Sequence, residues 1–189
     1  MKNNLSIVRQ QFAQCVFNHK IHEKAHDRLI ECQKKIKWVN IVLLWLILLF
    51  IILQIKYPTQ SYFSAISIGI TVFEILFLFA QKEFSIEEKA IWHKKIAIQY
   101  LWLRDKYKNF IVDIMNGLDD WIASSKRDLL QEQYQIISSL SIDTKPLDYV
   151  QAQKKLLGKT NTDEEFTRSN DEINRFLPGD LRLTDDNTH

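Results

Sequence analysis

A five-residue pattern near the start of the chain has the spacing of a zinc site. Residues 22–26 read HEKAH, which fits H-E-x-x-H, where two histidines four residues apart hold zinc and the glutamate acts as a base. His19 lies on the same helical line, but it is about 10.5 Å along the axis from His26, too far to share one metal easily. His22 and His26 are therefore the zinc candidates. The alternative is a set of partly buried imidazoles in a helical bundle, and because short motifs match by chance we expect no metal or other cofactor.

A polar stripe leads to a single carboxylate inside an apolar stretch. Glu74 is the one charged residue between Tyr62 and Ala80, and an ionised carboxylate in hydrocarbon costs at least a few kcal/mol, so it should face protein or water. Spacings of three and four residues put further polar side chains on its face of a helix: Gln60, Ser64, Ser67 and Thr71. Two interpretations stay open: the stripe lines a pore in an oligomer, or it makes hydrogen bonds between helices.

Small residues form a second row beside this stripe. Ser61, Ala65 and Gly69 follow one another at four-residue spacing. Small side chains let helices approach closely in a membrane, so the row predicts a helix-packing surface.

The elements that position these residues are two segments long enough to cross a membrane. The first, residues 38–55, is uncharged, and its 18 residues span about 30 Å of hydrocarbon at about 1.5 Å per residue. The second runs over 62–80, and Pro58 lies in the short connection, where it stops helix formation. Together they predict a transmembrane hairpin, residues 38–80.

Basic residues on the flanks predict how the hairpin is oriented. Lys and Arg favour the cytoplasmic side, and the connecting loop holds only Lys56. The flanks carry Lys24, Arg28, Lys34, Lys35 and Lys37 before the first span, and Lys82, Lys89, Lys94 and Lys95 after the second. We therefore expect a multi-pass protein of the bacterial inner membrane with both termini in the cytoplasm.

The rest of the chain has the periodicity of cytosolic helices. We expect residues 1–37 to form one helix that runs into the first span. Residues 81–158 should form a helical region that breaks at Gly117 and again before Pro146, and Gly158 should cap its end. The helix after the second span carries one apolar and aromatic stripe: Ile96, Tyr100, Leu103, Tyr107, Phe110 and Ile114. Residues 159–189 are polar, and we expect a mostly mobile tail apart from Ile173 to Leu177. The expected fold is an all-α membrane protein, a two-helix hairpin with long cytosolic helices in a bundle.

Charge and composition narrow the function classes. The net charge of +2 gives no reason to expect direct nucleic-acid binding, and the two cysteines have no metal spacing. Beyond HEKAH we find no enzyme motif, so an enzyme is not expected. Arg104 flanks the apolar stripe of the long helix, where it pairs with a carboxylate across the bundle or holds an anionic ligand.

This layout resembles the bacterial SLATT domains, the two-transmembrane effectors associated with SMODS nucleotidyltransferases and SLOG proteins. The segment LRDKYKNFIVDI carries the most specific likeness, with an arginine, a tyrosine three residues on, apolar residues and then an aspartate. Here those residues are Arg104, Tyr107, Phe110, Ile111 and Asp113. PLDYVQAQKKLLG and DEINRFLPGDLR resemble the C-terminal extension of one branch.

The resemblance implies an effector of bacterial antiviral defence. Such domains are proposed to oligomerise and to form a pore or disrupt the inner membrane on a signal from a partner, which kills or arrests the cell in abortive infection. The partner implied is a nucleotidyltransferase or a reverse transcriptase. Two alternatives stand beside this function: a membrane-anchored scaffold or receptor without a pore, and a zinc-dependent membrane peptidase.

Overall fold

The computed structural model describes residues 2–158 and 166–183, and every regular element in these ranges is helical. The long helices are α1 (Lys2–Lys56), α2 (Tyr62–Phe84), α3 (Ile86–Met115) and α4 (Asp120–Leu140). Shorter ones follow: α5 (Pro146–Leu157), α6 (Asn170–Asn174) and a 3-10 turn (Gly179–Leu181). The predicted all-α fold is confirmed, and α1 runs without a break from the N-terminal region through the first span.

Helix ends fall where backbone chemistry requires them. Gly117 at φ 92° and Gly158 at φ 67° occupy the left-handed region after α3 and α5, which glycine adopts without steric cost. The Asp119 carboxylate accepts from the Trp121 N–H at 2.8 Å and caps α4. Pro146 opens α5, as its fixed φ favours. These breaks agree with the predicted boundaries.

One break was not predicted. The helix after the second span was expected to run from residue 82, but the chain interrupts it at Ser85, which adopts φ 42°. Glu87 and Glu88 then occupy the first turn of α3, where carboxylates are favourable next to the helix N-terminus. The sequence Ser85-Ile-Glu-Glu88 has the S-x-x-E signature of a helix start, so a local signal was present.

The chain divides into two compact units. The hairpin unit comprises residues 27–90, and the bundle unit comprises the described residues before 27 and after 90. Both spans are long and apolar enough to cross a membrane, and 0% and 6% of their most apolar windows are buried. The core helix of a soluble protein would be mostly buried, so these exposed apolar helices fit a membrane protein.

Polar pairs set the register of the hairpin unit. The Asn40 and Gln81 amides donate to each other at 3.2 and 3.0 Å, and the Ser64 N–H donates to Gln54 Oε1 at 2.9 Å. The half-buried line of α1 recurs every three or four residues, as in antiparallel coiled-coil packing: Gln33, Ile36, Asn40, Leu43, Ile47, Phe50 and Gln54. Amide pairs near both ends therefore align an otherwise apolar contact.

The bundle unit buries the predicted stripe of α3. Ile96, Tyr100, Leu103, Tyr107, Phe110 and Ile114 are each at most 2% exposed, and they pack in one core with Val8, Phe12 and Cys15 of α1. Burying a side chain of this size contributes roughly 1.5–3 kcal/mol. The first helix and the post-membrane helix therefore pack against each other within one chain.

The inward face of α4 differs in part from the expected one. Of the apolar residues that the sequence pattern indicates on this helix, the structure buries Ile137 and half-buries Tyr134 but leaves Trp121, Ile122 and Leu129 exposed. Ala123 and Leu130 enter the core in their place. Ala123 is small enough for close helix approach, so the rotation of α4 follows the shape of the core rather than the largest apolar side chains.

Part of the predicted mobile tail is packed. Ile173, Leu177 and Leu181 join the core, and the Phe166 ring stacks on Phe17 with centroids 4.8 Å apart. Ile173 and Leu177 belong to the stretch excepted from the mobile tail, and the packed segment extends on both sides of it, over 166–183, because Phe166 and Leu181 also reach the bundle. The remainder of that tail, 159–165 and 184–189, lies outside the described residues.

Candidate functional site

The polar stripe of α2 is satisfied mainly within its own helix. The Ser67 hydroxyl donates to Ser64 O at 2.9 Å, and the Thr71 hydroxyl donates to Ser67 O at 2.8 Å. Ser64 and Ser67 are half-buried, whereas Thr71 is exposed. The stripe is therefore not a chain of hydroxyl bonds between α1 and α2, and its role as a pore lining or an interhelical contact remains a prediction.

Glu74 lies inside the hairpin. Its side chain is only 5% exposed, and Oε2 has no hydrogen-bond partner among the described residues. The register set by the Asn40–Gln81 pair places Glu74 on the level of Ile47, an apolar residue of α1. A buried polar atom without a partner is costly, so this carboxyl destabilises the hairpin.

The row of small residues lies on the side of α2 that faces away from Glu74. Ser61, Ala65 and Gly69 are all exposed, and a Cβ added at Gly69 would have no heavy atom within 4 Å. The row therefore does not pack against α1 of the same hairpin. Its predicted role in helix packing now concerns contact with another copy or another chain.

The structure separates the three residues of the Arg104, Tyr107 and Asp113 pattern. Arg104 donates from Nε and Nη2 to Asp105 Oδ1 at 2.9 and 2.6 Å, so it pairs with its neighbour and not across the bundle. Tyr107 is in the core, where burial raises the pKa of its phenol. Asp113 pairs with Lys126 of α4 at 2.6 Å. The pattern therefore combines one half-buried arginine, one core residue and one interhelical ion pair.

Two buried histidines meet in the bundle unit. His22 Nδ1 of α1 lies 2.9 Å from His93 Nδ1 of α3, and His22 Nε2 lies 3.2 Å from the Ser141 hydroxyl. One imidazole must donate and the other accept across the Nδ1–Nδ1 contact, because two N–H groups facing each other would repel. This arrangement holds α1, α3 and the end of α4 together only while the pair carries no more than one proton at that contact.

Burial sets the titration of this pair. Removal from water, reinforced by the nearby His93, lowers the pKa of His22 to about 4, although the Asp148 carboxylate acts in the opposite direction. The side chain is 6% exposed. His22 is therefore neutral at physiological pH.

We expect the bundle unit to lose stability as the pH falls from about 6.5 to about 4. The unfolded chain binds a proton at His22 near the ordinary value of 6.5, and the folded chain binds it only near 4, so protonation favours unfolding in that window and the stabilisation is complete above it. The full change is on the order of 3 kcal/mol. Thermal unfolding of the purified chain in detergent, measured between pH 4 and 7.5, should show this fall in stability as the pH is lowered.

A His22→Asn variant provides the control for this pH dependence. It keeps a polar group beside Ser141 and removes the titration, so its stability should vary less with pH in the same window. Equal slopes for the two proteins would show that His22 is not the responsible group.

The HEKAH pattern does not assemble a metal site among the described residues. No group of three or more His, Cys, Asp or Glu side chains in those ranges is placed to hold a metal ion. His22 faces His93, while His19 Nδ1 donates to Ala97 O at 2.9 Å. The imidazoles of His19 and His22 thus make structural contacts within the bundle unit.

Sequence reasoning missed several polar residues that organise the structure. His93 and Arg9 are buried, and the sequence analysis assigned neither a role. Each lies on the helix face that carries the apolar line, at three or four residues from a core position, and a polar residue in such a place is a signal for a buried hydrogen bond. His22, the partner of His93, stands out in the sequence, but nothing local pairs it with a residue 71 positions away, and the partners of Arg9 near the C-terminal turn have no comparable signal.

Comparison with known protein families finds one match. The model of the family described as SMODS and SLOG-associating 2TM effector domain family 4 matches residues 5–172. Neither the curated proteins nor the solved structures contain a match to this chain.

Proposed function

Because this chain belongs to family 4 of the SMODS and SLOG-associating two-transmembrane effector domains, we propose that it is the membrane effector of a bacterial antiviral defence system. On a signal from a partner, copies of the chain permeabilise the inner membrane, and the cell dies or stops growing. The partner is a nucleotidyltransferase or a reverse transcriptase encoded alongside. The family is not known as an enzyme family, and a structural role for His22 argues against a zinc peptidase.

The hairpin crosses the inner membrane twice and keeps the bundle unit in the cytoplasm. The basic residues of both flanks support this orientation, since the loop between the spans holds only Lys56. The exposed apolar surface of both spans supports lipid contact. In this topology a cytoplasmic partner reaches the bundle unit directly.

The proposal of a pore rests on the burial of Glu74. Two helices cannot enclose water, so a pore requires several hairpins around one lumen. The carboxyl lies between α1 and α2, and its Oε2 has no partner in the described part of the chain, so we take this arrangement to be a closed state with a built-in cost. Rotation or separation of α2 in an oligomer gives Glu74 a hydrated position, and a signal that favours this open state needs only a different affinity for the two states.

Induced expression in bacteria with a potential-sensitive dye tests this function. We expect depolarisation and growth arrest when the chain is activated by its partner, and leakage of a small dye from liposomes that contain the purified chain together with its activated partner. An unchanged membrane potential with the protein correctly inserted and the partner active would exclude a pore.

The row of small residues provides a surface for association between hairpins. We expect Gly69→Leu to lower oligomer formation and depolarisation at least about tenfold, equivalent to about 1.4 kcal/mol of association free energy. The hairpin itself should stay folded, because nothing occupies the space beside Gly69. Cross-linking in membranes measures the oligomer.

Ile66→Phe is the matched control for Gly69→Leu. It also adds bulk to an exposed position of α2, but outside the small-residue row, so association should be retained. Full association of Gly69→Leu would exclude this row as the contact between copies.

A second candidate function is a membrane-anchored scaffold or receptor without a pore. The exposed residues Ile122, Leu129 and Ile136 recur every seven residues on α4 and favour this alternative, because a continuous apolar line on a helix is typical of a protein-binding surface. Partner binding that depends on Leu129, in the absence of any dye leakage, would favour the scaffold over the pore.

A further inference from the structure

A cleft in the bundle unit has the size of a small-molecule site. It has a volume of about 430 Å³ and three walls: Phe12 and Val16 of α1, Arg104, Asp105 and Lys108 of α3, and the turn Phe176–Pro178. Small-molecule sites commonly occupy about 300–1,000 Å³, with apolar walls and a few converging polar groups. The cleft is formed only when 166–183 packs on the two long helices.

The charges of the cleft favour an anion. Arg104 and Lys108 are one helical turn apart, so their cationic groups project on the same side of α3. No described carboxylate pairs with Lys108, and the lining holds two cations against the single carboxylate of Asp105. The Arg104–Asp105 pair is partly exposed, with side chains 32% and 54% accessible. Such a pair is weak, so a phosphate can compete for the guanidinium.

The apolar wall is held in place before any ligand binds. Arg9 Nη1 donates to Leu181 O and Nη2 to Asn174 Oδ1, both at 2.6 Å. Arg182 Nε donates to Leu177 O at 3.0 Å, and Arg175 Nη1 donates to Leu157 O at 2.9 Å. A wall fixed by these bonds loses little conformational entropy on binding.

We propose that this cleft binds a small phosphate-bearing molecule with an apolar or aromatic body. The phosphate binds Arg104 and Lys108. The planar guanidinium of Arg104 donates two hydrogen bonds side by side, and the ammonium of Lys108 is a compact positive charge. The body lies against the half-buried Phe176 and the exposed Pro178, so binding covers apolar surface that the turn leaves open. A free nucleotide and a phospholipid headgroup with its glyceride both have this chemistry. The site stands independently of pore formation.

Calorimetric titration of the full chain in nanodiscs tests this site. One arm adds AMP or pyrophosphate to nanodiscs of phosphatidylcholine, and the other compares nanodiscs with and without phosphatidic acid by thermal unfolding. We expect saturable binding in one arm, which identifies the source of the phosphate. Arg104→Gln and Lys108→Gln should each lower the affinity at least about tenfold.

Two further variants separate this site from general charge attraction. Lys106→Gln removes a cation of the same helix whose Nζ lies over the Trp102 ring at 3.6 Å, outside the cleft lining, so it should bind like the unchanged chain. Phe176→Ala should lower the affinity for AMP more than the affinity for pyrophosphate. Absence of binding in both arms overturns the proposal, as does binding that folded Arg104→Gln and Lys108→Gln variants retain or that Lys106→Gln loses equally.

Discussion

Replacement of Glu74 by leucine is expected to hold the hairpin closed and to lower depolarisation roughly tenfold to 100-fold. A buried polar atom without a hydrogen-bond partner costs about 1–3 kcal/mol, and about 1.4 kcal/mol corresponds to a tenfold change in an equilibrium. Leucine removes this cost from the closed state, where Glu74 is 5% exposed and lies on the level of Ile47. The closed state then becomes more stable relative to any state in which residue 74 faces water. The potential-sensitive dye measures the change.

Two variants define what the Glu74 result means. Glu74→Gln keeps a polar side chain that still favours water, so it should lose less activity than Glu74→Leu. Glu83→Gln is the matched control, because it removes an exposed carboxylate from the end of the same helix and should leave depolarisation unchanged. Full depolarisation by Glu74→Leu, at equal membrane content, would exclude any part for this carboxyl in opening.

Replacement of Arg9 by alanine is expected to release segment 166–183 from the bundle unit. Arg9 is 1% exposed, and its guanidinium donates to Leu181 O and Asn174 Oδ1 at 2.6 Å. Hydrogen bonds from a charged donor contribute about 1.5–3 kcal/mol each, so the loss is on the order of 3 kcal/mol or more. Amide hydrogen exchange in 166–183 should accelerate at least about 100-fold. The helices of the hairpin unit should keep their protection.

Arg127→Ala provides the matched control for Arg9. Arg127 pairs with Asn4 and Asp128 at the surface of α4, where an ion pair contributes about 1 kcal/mol or less. Its loss should leave exchange in 166–183 nearly unchanged. Equal protection of that segment in Arg9→Ala and in the unchanged chain would show that the apolar contacts of Ile173, Leu177 and Leu181 are sufficient to hold it.

Local patterns in the sequence determined the helices and one face of the core. A continuous apolar stretch needs no partner to be recognised, so both spans follow from length and charge. The breaks at Gly117 and Pro146 follow equally from backbone chemistry. The α3 stripe from Ile96 to Ile114 recurs with the period of a helix, and all of it is buried. Each of these features depends on residues within a few turns of one another.

The tertiary structure alone decided which polar groups meet and which of two adjacent faces packs inward. On α4, two adjacent lines of apolar residues have helical spacing: Ile122, Leu129 and Ile136 form one, and Ala123, Leu130 and Ile137 form the other. Only the shape of the opposing surface selects the line of Ala123 for the core. The His22–His93 contact, the Arg9 hydrogen bonds and the three-walled cleft join segments far apart in the chain. Helical periodicity describes one element at a time, whereas the free energy of packing depends on pairs of elements, and that pairing arises only when the chain folds.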